Sequence, residues 1–275
     1  MQTILVPTDF SDNSENAFKY ALELALATKG KIILFHAYHF PTPASEIPII
    51  IEYDELEKEN LAHLKEFSDN LVHSKHRSIE IECLTKPGFA VQEIENLGSE
   101  RKVDLIIMGK GKEGRLSEII LGSNTIGLIK KGKFPVLSVP EDYKYKPPQR
   151  IVFAVDENEM ESPEALHILK ELIRVFHSNL LLFNVIDQEE QVLAGQKKTS
   201  IKLEKHFADV KHTLHFYEDK DVVDGINRFA ESNNADLIVM IPRKHNLFYR
   251  IFVENFTPKV VSYTQLPLLT LPEKT

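Results

Sequence analysis

The chain has 275 residues, 43% hydrophobic and 27% charged, with a formal net charge of -8 at pH 7 and one cysteine, Cys83. That composition suits a soluble globular protein with room for two domains, disfavours nonspecific binding to nucleic acid or anionic membrane, and rules out an internal disulfide. No apolar run matches a membrane span and the first residues lack a signal peptide's basic region and cleavage site, so a cytoplasmic location is expected.

The first apolar run, 4–7, exits through Pro7, Thr8 and Asp9. Ser11 or Ser14 can cap the helix that follows, in which Ala17, Phe18, Ala21, Leu22, Ala25 and Leu26 form one stripe before Gly30 ends it. A second strand is expected over 32–37. Segment 41–51, PTPASEIPIII, carries three prolines, which argue against a helix. It reads as a surface loop, with a lid or a subunit contact as the sharper alternative. Residues 52–76 read as a long charged helix with Leu56, Leu61, Leu64, Phe67 and Leu71 inward, and with His73 and His76 suiting the dipole at its end. A strand over 79–84 follows, then a helix from Pro87-Gly88 to about 97, then a strand over 105–108. The glycine-bearing loop 108–125, MGKGKEGRLSEIILGSNT, leads into a helix reaching about 131, and a last strand covers 136–139.

The rest of the chain repeats this plan. ILVPTD at 4–9 returns as IVFAVD at 151–156, and KIILFHAY at 31–38 as NLLLFNVI at 179–186. VDLIIMG at 103–109 returns as ADLIVMI at 235–241, and FPVLSVP at 134–140 as LPLLTLP at 266–272. Second-copy helices are expected over 163–176, 197–207 and 222–232, and strands over 180–186, 213–217 and 237–240. Four matched segments in one order fix two domains, 1–146 and 147–275, joined by a linker over 141–149. Continuous apolar strands alternating with amphipathic helices predict an α/β fold: two tandem doubly wound parallel sheets, Rossmann-like in outline, with the two domains packed face to face.

In such sheets ligands bind beyond the carboxyl ends of the strands, where strand order reverses. Pro7, Thr8 and Asp9, then Ala37, then the loop from Met108 onward should meet there. Gly122 lets backbone approach a ligand, and the free amides of Ser123, Asn124 and Thr125 at a helix start suit a phosphate. Asp9 suits a ribose hydroxyl pair, although Asp9 and Asp156 equally suit capping of the helices that follow them.

On these residues the chain resembles the universal stress protein family (UspA type) in its tandem form, over nearly its whole length. The resemblance implies an adenine nucleotide alpha-hydrolase-like fold forming an intramolecular pseudo-dimer, with the closing strands 136–139 and 268–271 paired at the junction. ATP-binding members carry G-x-x-G, nine residues, then G-[ST]; Gly109 and Gly122-Ser123 match, while Lys112 holds the place of the middle glycine. The resemblance implies that Asp9 binds ribose, that Ala37 borders adenine, and that Gly109, Gly122, Ser123 and Asn124 hold the phosphates. Lys112 either reaches a phosphate or fills its space. The implied ligand is ATP, with or without Mg2+, in the first domain only.

The second copy lacks these features. Ile241 replaces Gly109, and Glu254-Asn255 replace Gly122-Ser123. A carboxylate about 4 Å from a phosphate costs about 4 kcal/mol at an effective dielectric near 20. Glu254 can instead occupy the anion position itself, near Arg243, Lys244 or Arg250.

Residues 109–114, GKGKEG, satisfy G-x-G-x-x-G, but a dinucleotide fingerprint belongs after the first strand of its unit. His36 and His39 do not share a face, and no tetrahedral ligand set is readable, so no metal site is expected. No catalytic triad or carboxylate pair is readable, and no catalytic residue is expected; a slow ATPase is compatible but not argued. The leading expectation is a stress-response regulator, not an enzyme, with an adenine nucleotide, an unidentified protein partner and room for a homodimer. The alternatives are a nucleotide-free interaction module of the same fold and, behind it, a nucleotide hydrolase or NAD-binding enzyme.

Overall fold

The computed structural model describes residues 1–39, 53–110, 122–155, 166–186, 206–218, 222–242 and 265–272. The first copy runs β1 (Thr3–Pro7), α1 (Asp12–Thr28), β2 (Lys31–Tyr38), α2 (Tyr53–Leu71), β3 (Ile81–Pro87), α3 (Ala90–Glu100), β4 (Leu105–Lys110), α4 (Ser123–Lys131) and β5 (Val136–Pro140). The second runs β6 (Arg150–Val155), α5 (His167–Phe176), β7 (Asn179–Ile186), β8 (His212–Glu218), α6 (Val222–Ser232), β9 (Leu237–Met240) and β10 (Leu268–Thr270). Segment 41–51 and most of the helix expected over 197–207 lie outside the described residues.

The ten described strands form one sheet, in the order β3-β2-β1-β4-β5-β10-β9-β6-β7-β8. Each half is parallel and reverses order between its first and fourth strands, as a doubly wound sheet does. The halves meet where β5 and β10 run antiparallel, with Leu268 opposite Ser138 and Thr270 opposite Val136. The repeat equates Ser138 with Thr270, and both hydroxyls donate across this seam, to the Leu268 carbonyl at 3.3 Å and the Val136 carbonyl at 3.1 Å. The face-to-face packing expected for the two domains is therefore corrected to an edge-to-edge union. Each copy taken alone would leave one unpaired sheet edge at its closing strand, and joining the two edges satisfies their backbone groups.

Two cores follow from strand alternation. Ile4, Val6, Ile32, Leu34, Leu105 and Ile107 pack under α1 and α2, while Leu5, Ile33, Phe35, Ile106 and Met108 pack under α3 and α4. Both layers continue through the second copy, where Leu169 and Leu172 of α5 join the first and Ile226 of α6 joins the second.

Matched aspartates start the central strands. The Asp104 carboxylate accepts from the amides of Gln2 at 2.6 Å and Thr3 at 2.9 Å. Its repeat partner, Asp236, accepts from Gln149 at 3.0 Å and Arg150 at 2.9 Å. The linker is fastened as well: Asn16 Nδ2 donates to the Pro140 carbonyl at 2.8 Å, and the Tyr143 hydroxyl donates to the Asp236 carbonyl at 3.1 Å.

Several boundaries differ from the sequence pattern. Lys29, in the left-handed region with φ 55°, caps α1 one residue before Gly30. The charged helix expected through 76 stops at Leu71, and Ser74–His76 form a 3₁₀ turn. There the His76 ring is buried and its Nε2 lies 3.1 Å from Glu23 Oε1 on α1, so it is a tertiary contact rather than a dipole partner.

Candidate functional site

The turn after β1 is over-determined. Thr8 is buried, its amide donates to the Phe35 carbonyl at 2.8 Å, and its hydroxyl pairs with that of Ser14 at 2.8 Å. Phe10 follows in the left-handed region with φ 64°, uncommon for an aromatic residue. Rings on three sides hold it, with centroids at 4.5 Å for His36, 4.1 Å for His63 and 5.5 Å for Phe67. His36 in turn places Nδ1 2.8 Å from the Thr8 carbonyl oxygen, an acceptor only, so Nδ1 carries the proton.

This turn presents Asp9 to solvent. Ser11, not Asp9, is the helix cap: its hydroxyl accepts from the Ser14 amide at 3.4 Å. Asp9 Oδ1 accepts from the Ser11 amide at 3.1 Å and the Ser11 hydroxyl at 2.5 Å, so it orients the cap. Partial burial alone would raise its carboxyl, but hydrogen bonds from Ser11 and Ser14 outweigh that and hold it below the ordinary value, ionised near neutral pH.

β4 lies beside β1 and delivers Met108, Gly109 and Lys110 to the same carboxyl edge. A Cβ built on Gly109 would stand 2.5 Å from the Asn13 carbonyl oxygen, so this glycine admits the first turn of α1 against the sheet. Asn13, oriented to satisfy its amide, donates to Glu141 Oε2 at 3.0 Å and the Lys110 carbonyl at 3.3 Å. Met108 faces α4, where the Thr125 hydroxyl lies 3.7 Å from its sulfur.

α4 begins at Gly122 with no side-chain cap among the described residues, and Ser123 and Asn124 lie open in its first turn. Around Gly122 the contrast with Gly109 is complete: among the described residues no atom lies within 4 Å of an added Cβ, and φ is an ordinary −59°. Nothing among those residues requires a glycine there. Ala37 is partly buried on the α3/α4 side of β2, the face shared by Met108. Pro7, Thr8, Asp9, Ala37, Met108, Gly109 and the Gly122–Thr125 start of α4 are thus brought to one end of the sheet, whereas Lys112 lies outside the described residues.

Two residues of this edge were not singled out by motif. Lys110, the last residue of β4, is fully buried, and desolvation pushes its ammonium down to about 8. Strand alternation from Met108 would have placed it on the α3/α4 face, but a lysine after an apolar run reads as the strand's exit. Phe89 stands fully in view at the start of α3. No group of three or more His, Cys, Asp or Glu able to hold a metal occurs among the described residues.

In the second copy Ile241, at the place of Gly109 in the repeat, is buried in the α1-side core. Asp156, Arg243, Lys244, Arg250, Glu254 and Asn255 lie outside the described residues. Asn184 replaces His36, is fully buried, and has no hydrogen-bond partner for either amide atom among the described residues. Such a group costs about 1–3 kcal/mol of desolvation. Asn184→Leu is expected to raise stability by about 1 kcal/mol, read as a higher urea midpoint with an unchanged slope. A lower midpoint would show that the amide is satisfied in solution.

The sequence profile of the universal stress protein family matches residues 1–140 and again residues 148–272. The chain belongs to the universal stress protein family. Among relatives of this universal stress protein, Slr1230 of Synechocystis is 22% identical, covering 98% of this chain and 99% of the relative. MJ0577 of Methanocaldococcus jannaschii is 29% identical over 50% of this chain and 93% of its own. The crystal structure of a universal stress protein from Archaeoglobus fulgidus superposes with a TM-score of 0.74 at 18% identity, covering 98% of both chains, which supports the shared fold.

Proposed function

We propose that this universal stress protein is a cytoplasmic stress-response regulator that binds an adenine nucleotide, ATP, at the carboxyl edge of its first sheet and works by binding, not by turnover. The observation that carries this reading is the start of α4. Among the described residues, this helix N-terminus has no side-chain cap, exposes Ser123 and Asn124, and follows a glycine whose added Cβ would meet nothing. Backbone amides at such a start favour phosphate oxygens. The ionised Asp9, one strand away, is suited to accept ribose hydroxyls, and Ala37 offers a small apolar border for the base. Any Mg2+ would arrive with the phosphates. No helix among the described residues is long and apolar enough to cross a membrane, in keeping with the proposed location.

The second copy is proposed to bind no ATP. Its buried Ile241 stands where Gly109 admits backbone, and Glu254 would set a carboxylate where the phosphates would lie.

Mass spectrometry of protein denatured after purification should release one adenine nucleotide per chain. At a hundred times its dissociation constant, added ATP should stabilise the folded chain by about 2.7 kcal/mol. Gly122→Val should leave the ligand-free stability within about 0.5 kcal/mol, because no described residue would meet the added side chain's Cβ and φ is ordinary, yet remove the ATP-induced thermal shift. If the shift survives in that variant, the phosphates are not held at α4. If no nucleotide is retained and ATP causes no shift in the wild type, the fold serves as a nucleotide-free interaction module.

A further inference from the structure

Phe89 is 77% exposed, the most exposed large apolar side chain among the described residues. It occupies the N-cap of α3, where a small polar residue ordinarily satisfies the first amides, and it makes no side-chain cap bond. A scattered surface phenylalanine needs no explanation, but this one is held in place. Gly88, at φ 140°, turns the chain out of β3, and its amide donates to the Tyr38 carbonyl at 2.9 Å. The Phe89 ring then meets the His39 ring edge-on, with centroids 5.4 Å apart.

The ladder puts this turn beside the residue expected to border the base. Ala37 pairs with Lys86 and Tyr38 with Pro87, so Phe89 leaves the sheet two residues past β2's exit. Ala37, Ala90 and Val91 all pack on the α3/α4 side of the sheet. Val91 Cγ2 lies 3.0 Å from where a Cβ on Gly127 would stand, so the first turn of α3 touches α4 one turn beyond Ser123. Ala37, the first turn of α3 that follows Phe89, and α4 therefore share a single face of the sheet.

From this juxtaposition we infer that Phe89 is a specificity-determining residue, an aromatic platform on which the nucleotide's base stacks while α4 holds the phosphates. The inference rests on the adenine-nucleotide reading of the crevice. The stack is selective for a ligand with a base and indifferent to bare polyphosphate, because only the base carries a π-face. With Phe89 77% exposed, ring surface is left for the ligand beside the His39 contact.

Titration calorimetry of the full chain with ATP and with inorganic tripolyphosphate tests it. Phe89→Ala should weaken ATP about tenfold and leave tripolyphosphate unchanged. The chain has no tryptophan, so Phe89→Trp supplies a sole indole whose emission ATP should quench and tripolyphosphate should not. Equal ATP affinity in wild type and Phe89→Ala, or indole emission indifferent to bound ATP, would overturn the stack while leaving the nucleotide site standing. A wild type that binds neither ATP nor tripolyphosphate would overturn both.

Discussion

Gly109→Ala is expected to lower the stability of the protein by about 3 kcal/mol, the upper end of ordinary overpacking. The added Cβ would lie 2.5 Å from the carbonyl oxygen and 2.6 Å from the carbonyl carbon of Asn13. Those are backbone atoms in the first turn of α1, so no side chain can swing away to make room. The helix itself must lift from β4, and it carries Phe18, Ala21 and Leu22 of the core with it. It would also drag the Asn13 amide from the Lys110 carbonyl and Glu141. The urea midpoint should fall with an unchanged slope, whereas Gly122→Val should barely move it. An alanine variant as stable as the wild type would show that α1 can retreat freely and that this glycine serves the ligand alone.

Lys110→Met is expected to remove a rise in stability that the wild type shows between about pH 8 and about pH 10.5. The Lys110 ammonium is fully buried, and desolvation lowers its pKa from 10.5 to about 8. The sign follows from proton counts. Below pH 8 both folded and unfolded chains hold the proton, and this group adds no pH dependence. Between pH 8 and 10.5 the unfolded lysine stays charged while the folded amine is neutral, so wild-type stability rises with pH through that window. In the methionine variant this rise should disappear. Urea melts of both proteins at about pH 7 and about pH 9.5, on either side of the folded-state value, measure the effect. A methionine variant that keeps the rise would mean that another group causes it.

The internal repeat makes the strands and their topology readable, because apolar runs buried on both faces leave little choice of neighbours. Helix ends are less readable, since they depend on partners far along the chain. His76 sits next to a charged helix in sequence, but Glu23, more than fifty residues away, draws it inward. The pairing of the closing strands that the resemblance implies is what β5 and β10 make, but face-to-face packing is misread from sequence for a similar reason: apolar content says that a strand is covered, not whether its edge or its face meets another layer. At the site, the motif draws attention to Lys112, whereas the strand register singles out Lys110. Gly109 and Gly122 look alike in a pattern, yet only coordinates show that one is required by α1 and the other by nothing among the described residues. Asp9 keeps two readings in sequence, and its bond to Ser11 gives it a hand in the helix start without making it the cap.

The antiparallel seam between β5 and β10 has a consequence for how this molecule could diversify. When two identical chains are zipped along that edge, every substitution is inherited by both halves, and dilution can separate them. Here a short tether keeps the partner strand at a high local concentration at any dilution. The halves are then free to change independently, and a change that spoils one crevice leaves the other, and the shared sheet, untouched.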